Sequence, residues 1–245
     1  MCLNIFLDKI VFGKITIIFD KNIEMLKKLL SYIFPIHLHK TESIISKTIE
    51  VTLYNGKLVL DSKNTNYSYG SLQRVLRFGL KQIGFEQIKK MQNILILGVA
   101  GGSVIKTLVD EIEYKGKIKG VEIDKNIIEI ANTYFSLDKI PNLEIIITDA
   151  RQFVKTKTEK YDLIIIDVFQ DKEMPAFLFN KEFTDNVISL LNYNGIILFN
   201  TMKTNKKEAE RNDKYKLNYS QKNFDILAYS DLENYNEILI VKQKS

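Results

Sequence analysis

From Asn93 onward, five short apolar runs recur with helix-like segments between them: NILILG, KIKGVEID, NLEIIITD, YDLIIIDV and GIILFNTM. Each is continuously apolar and rich in Ile, which is what a strand needs when both of its faces are covered. Strand and helix in alternation give a parallel sheet with helices on both sides, so the pattern predicts an α/β doubly wound sheet. Helices are expected over Ser103–Glu113, Asn126–Tyr134, Arg151–Lys155 and Leu178–Leu191. In the second, Ile127, Ile130 and Ala131 share one face, followed by Tyr134. The chain closes with NFDILAYSD and NEILIVKQ around a polar turn at Glu233 and Asn234, an antiparallel hairpin added to the parallel sheet.

The residues before Asn93 have a different character. KTIEVTLYNGKLVLDS places two β-rich runs on either side of Asn55-Gly56, a strong hairpin signal, and SLQRVLRFGLKQI then reads as a helix. The expected division is a β-rich N-terminal region over 1–65 and the main ligand-binding domain over 66–245. The opening stretch is apolar, but Asp8, Lys9 and Lys14 interrupt it, so it reads as strand or extension and not as a membrane span. A single cysteine, Cys2, excludes an internal disulfide or a cysteine metal cluster and points to the cytoplasm. The net charge is +5, yet the tightest lysine group, Lys203, Lys206 and Lys207, is diluted by Glu208 and Glu210. A solvated surface is expected, not a nucleic-acid partner.

Ligands of open α/β sheets sit beyond the carboxyl ends of the strands, at the first strand-to-helix turn. Gly98, Gly101 and Gly102 occupy that turn in NILILGVAGGS. No Gly-Lys-Ser/Thr follows, and the third glycine of a dinucleotide fingerprint is missing. What remains is a nucleoside with an amino-acid tail, such as S-adenosylmethionine, which needs close backbone approach and free N–H groups for a carboxylate. The next strand ends offer matching acids. Glu122 or Asp124, on the same side of their strand by the period of two, can take the ribose hydroxyls. Asp149 can take a hydrogen from the adenine amino group while the Ala150 N–H meets a ring nitrogen. Asp167 ends the fourth strand where the sulfonium would lie.

With ILILGVAGGSVIKTLV, GVEIDKNIIEIANTYF, LEIIITDARQFV and YDLIIIDVFQDKEMPAFLFNKEF, the chain resembles the spermidine synthase-like family. That family is a branch of the class I S-adenosylmethionine-dependent methyltransferase fold, a Rossmann-like doubly wound sheet. The resemblance implies Glu122 over Asp124 as the ribose acid, Asp167 as the catalytic acid of a D-x-x-D segment, and Tyr69 and Asp171 on the substrate side. It also implies a P-A…L-F gate at Pro175-Ala176 and Leu178-Phe179. The chain departs from the family in three places. Gly101 stands where aminopropyltransferases carry the aspartate of GGGDGG, Thr65, Asn66 and Ser71 replace acids of the acceptor segment, and Gln170 occupies the second aspartate's place.

A doubly cationic diamine needs carboxylates to offset its desolvation. Their loss favours methyl transfer from S-adenosylmethionine to an unidentified small-molecule acceptor. The alternatives are a polyamine aminopropyltransferase using decarboxylated S-adenosylmethionine, and a nucleoside-binding protein without chemistry. Asp167 would orient or deprotonate the acceptor, Tyr67 and Tyr69 would wall the pocket, and no metal is needed. His37 and His39 would share one strand face, with no third ligand near. The candidate assembly is a homodimer.

Overall fold

The computed structural model describes residues 23–43, 45, 47–62, 66–68, 71–170, 173–220 and 222–244. Helix α1 (23–30) precedes a four-stranded antiparallel sheet of β1 (Ile36–Ser43), β2 (Lys47–Tyr54), β3 (Lys57–Ser62) and β4 (Asn66–Ser68). Asn55 and Gly56 carry φ of 49° and 72°, the paired left-handed conformation that matches strand twist in a two-residue hairpin. The expected strand at Met1–Asp20 lies outside the described residues.

Helices α2 (Ser71–Ile83) and α3 (Phe85–Lys89) lead into the main sheet. There follow β5 (Asn93–Leu97), α4 (Ser103–Lys106), β6 (Lys117–Glu122), α5 (Lys125–Phe135), β7 (Leu143–Ile147), α6 (Ala150–Thr156) and β8 (Tyr161–Ile166). The chain ends with α7 (Lys181–Ser189), β9 (Leu191–Met202), α8 (Lys206–Lys216), β10 (Phe224–Leu232) and β11 (Asn236–Gln243). The seven strands are ordered β7-β6-β5-β8-β9-β11-β10. The first five are parallel; β11 runs antiparallel to β9, and β10 pairs with β11 at the edge.

Alternate residues of the buried strands serve two cores. Ile94, Ile96, Leu163, Ile165, Ile196 and Leu198 face the layer that holds Leu76, Leu80 and Ile105. Leu95, Leu97, Ile164, Ile166, Ile197 and Phe199 face Phe153, Phe183 and Tyr215. Coverage of both faces is why these strands carry no polar alternation. The small sheet packs Ile49, Val51 and Leu60 onto Ile127, Ile130 and Phe135 of α5.

Three elements depart from the sequence reading. The helix expected over Ser103–Glu113 forms, but its second half is a π-turn over Thr107–Glu111, with the Ile112 N–H donating to the Thr107 carbonyl. The helix expected over Leu178–Leu191 is divided. Ala176–Phe179 is a single 3-10 turn, Asn180 is extended, and Leu191 already belongs to β9. The break lets Leu178 and Phe183 enter the same core from separate segments. Finally, α8 was hidden by its charge: KKEAERNDKYK buries only Asn212 and Tyr215. Its signal was the cap, where Asn205 accepts from the Glu208 N–H at 3.0 Å and the Glu208 carboxylate takes the Thr204 N–H at 2.6 Å. Among the described residues no helix is long and apolar enough to cross a membrane.

Candidate functional site

The carboxyl ends of β5, β6, β7 and β8 meet where the sequence placed the site. Gly98 follows β5 with φ 89°, and a Cβ there would lie 2.2 Å from the Asp167 carbonyl oxygen. Only glycine lets the β5 backbone close against the end of β8, where the Asp167 N–H donates to the Leu97 carbonyl at 2.8 Å. Gly102, φ 77°, precedes α4, and a Cβ on it would strike the Leu137 side chain at 2.5 Å. Ala100 between them is also left-handed, φ 47°, a conformation that costs a non-glycine residue about 1 kcal/mol. Gly101 is buried inside the turn.

Glu122 explains how this turn is held. One carboxylate oxygen accepts the Val99 and Ala100 N–H groups at 3.0 and 3.1 Å; the other accepts those of Ile123 and Asp124 at 2.9 and 3.1 Å. Both oxygens thus carry two donors, the ordinary capacity of a carboxylate. Burial raises the Glu122 pKa, and the four N–H groups oppose that rise. The free N–H groups were expected at the start of α4, where first-turn N–H groups have no intrahelical acceptor; those of the turn before it are engaged. Those of Val99 and Ala100 are taken by Glu122, that of Gly98 by the Val121 carbonyl and that of Gly102 by the Val99 carbonyl.

Asp124, the neighbour that spacing alone left open, faces elsewhere. It caps α5 through the Asn126 N–H at 2.9 Å and accepts the Ser43 hydroxyl of β1. The small sheet is fastened beside it, as Asn126 Nδ2 donates to the Glu42 carbonyl at 3.3 Å. Asp149 caps α6, accepting the Arg151 and Gln152 N–H groups at 2.7 and 3.1 Å through Oδ1. Ala150 is the first residue of that helix, where a backbone N–H has no intrahelical acceptor.

Asp167 stands immediately beyond β8. Its Oδ1 accepts from Asn200 Nδ2 at 2.9 Å, and Asn200 Oδ1 in turn accepts from Asn236 Nδ2 at 2.9 Å. Loss of hydration, reinforced by the Glu122 charge and opposed by the Asn200 hydrogen bond, pushes the Asp167 carboxyl up to about 6. Sequence reasoning missed both asparagines. The one signal for Asn200 was an amide inside the apolar run GIILFNTM.

Tyr69 and Asp171, the expected substrate-side residues, lie outside the described residues, as does the Tyr67 side chain. Gln170 and Glu173 exchange reciprocal backbone bonds at 2.8 and 3.0 Å. Beyond Glu173, the Pro175–Phe179 segment is braced by α8, whose Arg211 guanidinium lies 4.0 Å from the Phe179 ring centre and donates to the Met202 carbonyl at 2.9 Å. The two histidines part company: β1 shifts register between them, His37 meets Thr52 and Glu50, and His39 packs on Tyr134.

The chain matches the spermine/spermidine synthase domain over residues 79–231, more than half its length. It is 35% identical over 120 residues to the polyamine aminopropyltransferase of Vibrio vulnificus, covering 48% of this chain and 40% of that protein. The chain thus spans about two-fifths of the length of the curated relatives it matches. A probable spermidine synthase from Corynebacterium glutamicum superposes with a TM-score of 0.68 at 16% identity, covering 85% of this chain and 80% of that one. Human methyltransferase-like protein 13, solved with SAH, gives 0.59 at 20% identity over 72% of this chain and 83% of its own. The fold is therefore of the class I methyltransferase type.

The expectation of methyl transfer is corrected by the curated relatives, which are polyamine aminopropyltransferases. The misleading step was to infer the donor from the replacement of acceptor-side acids at Thr65, Asn66, Ser71 and Gln170. By its matched domain, the chain belongs to the spermine/spermidine synthase family.

Proposed function

We propose that this chain transfers an aminopropyl group from decarboxylated S-adenosylmethionine to an amine acceptor. The observation that carries the reading is the electrostatic character of the turn. Two carboxylates, Glu122 and Asp167, stand close enough for the charge of one to raise the pKa of the other, while four N–H groups that could receive an anion are committed. Such a site favours a donor that has an ammonium and a sulfonium but no carboxylate.

In this reading Glu122 takes the ribose hydroxyls in exchange for part of its hold on the Ile123 and Asp124 N–H groups and keeps those of Val99 and Ala100. Asp149 and the Ala150 N–H meet the adenine edge, and Gly98, Gly101 and Gly102 allow the backbone to approach the sulfur. Asp167 accepts a proton from the acceptor amine. The nitrogen lone pair then attacks the propyl carbon next to sulfur, and the carbon–sulfur bond breaks with its electron pair returning to sulfur. The leaving thioether is neutral, so the protein's task is alignment and proton removal. Tyr69 and Asp171 are assigned to the acceptor side. Residues 1–65 and 66–245 retain their proposed division, in a cytoplasmic homodimer.

The test is turnover. Purified chain incubated with decarboxylated S-adenosylmethionine and a panel of mono-, di- and triamines is expected to release methylthioadenosine in an amine-dependent way. Formation of S-adenosylhomocysteine and a methylated amine from S-adenosylmethionine, or no release of methylthioadenosine with any amine, would sink the reading.

A further inference from the structure

We propose that Asn200, oriented by Asn236, is a positioning residue that holds the Asp167 carboxylate by one oxygen and leaves the other turned to the acceptor. The inference deepens the aminopropyl-transfer reading and rests on it for its catalytic meaning; the hydrogen-bond relay itself stands on geometry.

Asn200 has 0% exposure and follows Ile196, Ile197, Leu198 and Phe199 on β9, where apolar side chains fill the core. A buried amide is destabilising unless both of its ends are bonded. Both are: Nδ2 donates to Asp167 Oδ1 and Oδ1 accepts from Asn236 Nδ2, each at 2.9 Å. Asn236, itself 8% exposed, opens β11 opposite Met202, whereas Asn200 lies opposite Ile238. The two amides are therefore diagonal neighbours across the β9–β11 ladder, within reach of each other.

The relay has a direction. An ionised carboxylate can only accept, so the Asn200 amide must present nitrogen to Asp167 and oxygen to Asn236. Donation from Asn236 enforces the same orientation from the far side, so reversing the amide would disrupt both bonds. Among the described residues, Asp167 Oδ2 has no hydrogen-bond partner. The end of β5 meets Asp167 through backbone, while, among the described residues, β6 contributes Glu122 and β9 the neutral Asn200. Burial and Glu122 both favour the protonated acid; Asn200 alone opposes them. Without that amide, Asp167 would hold its proton to higher pH, so a smaller fraction would be ionised on the acid side.

The side-chain carboxyl resonance of Asp167, assigned with Asp167→Asn, is to be titrated by carbon NMR in the full chain. The wild type is compared with Asn200→Leu and Asn236→Ala. The expected result is an upward move of about one pH unit in Asn200→Leu and about half that in Asn236→Ala, which keeps the Asp167 contact but frees the amide. The acid limb of kcat/KM for aminopropyl transfer is expected to move with it, at unchanged KM for the donor. An unmoved titration in folded Asn200→Leu overturns the proposal; should that variant not fold, an unmoved titration in Asn236→Ala does so. If no amine is turned over, the aminopropyl reading fails, while the NMR shift still decides the positioning role.

Discussion

The two acids, buried Glu122 and part-buried Asp167, are held in opposite ways. Glu122 is saturated by four backbone N–H groups, whereas Asp167 receives one side-chain donor and, among the described residues, has an oxygen uncommitted. A saturated carboxylate organises backbone: it fixes the turn after β5 and gives it a negative centre. A half-satisfied carboxylate at a raised pKa retains an orbital for a proton. In the proposed reading the same residue chemistry yields architecture at one strand end and reactivity at another, and the number of donors decides which.

The comparison breaks first at Asp167. Asp167→Asn is expected to lower turnover by about 10²–10⁴-fold while leaving donor affinity within about threefold. A loss confined to affinity would place Asp167 with Glu122. The same variant tests the cost of the unsaturated acid. Because the folded pKa is about 6 against an ordinary 3.8, the folded chain binds the proton more tightly. Stability from this group is therefore lost as pH rises from about 4 to 6. Asp167→Asn should be more stable than wild type by about 1–2 kcal/mol at pH 7.5, a gain that disappears below pH 4 in urea titrations.

At Glu122 the expected effects combine. Glu122→Ala leaves four N–H groups without their acceptor, so donor affinity should fall by about 100-fold and the chain should lose about 3 kcal/mol of stability. Calorimetry that finds the donor binding undiminished would remove Glu122 from the site.

Much of this geometry was legible in the sequence because each part is local. The five apolar runs announce doubly covered strands, Asn55-Gly56 announces its turn, and acids at successive strand ends fall in register through strand period alone. Glu122 and Asp124 could not be separated that way. Their difference arises from what lies across from them: the β5 turn for one, and the Asn126 amide with Ser43 for the other. Asn200 and Asn236 were illegible for the same reason, being 36 residues apart and meaningful only as a pair with Asp167. The choice of transferred group was misread because local losses of acid were counted, whereas the state of the turn's N–H groups depends on a side chain from the next strand.

Smaller effects sharpen the contrast. Gly98→Ala forces a Cβ into the Asp167 carbonyl and should cost about 2 kcal/mol, disturbing both acids at once. Equal loss of donor affinity and turnover is expected, measured by calorimetry and steady-state kinetics. Asp124→Ala removes a helix cap and should cost about 1 kcal/mol in thermal or urea unfolding, with donor affinity within about twofold of wild type. A large affinity loss there would show that Asp124, not Glu122, holds the ribose.

The most direct measurement is a calorimetric titration of the wild-type chain with decarboxylated S-adenosylmethionine and, in parallel, with S-adenosylmethionine. A turn whose N–H groups are committed and whose charge is negative predicts that the decarboxylated form binds at least about tenfold more tightly. Equal affinity, or preference for the carboxylate-bearing form, would contradict it.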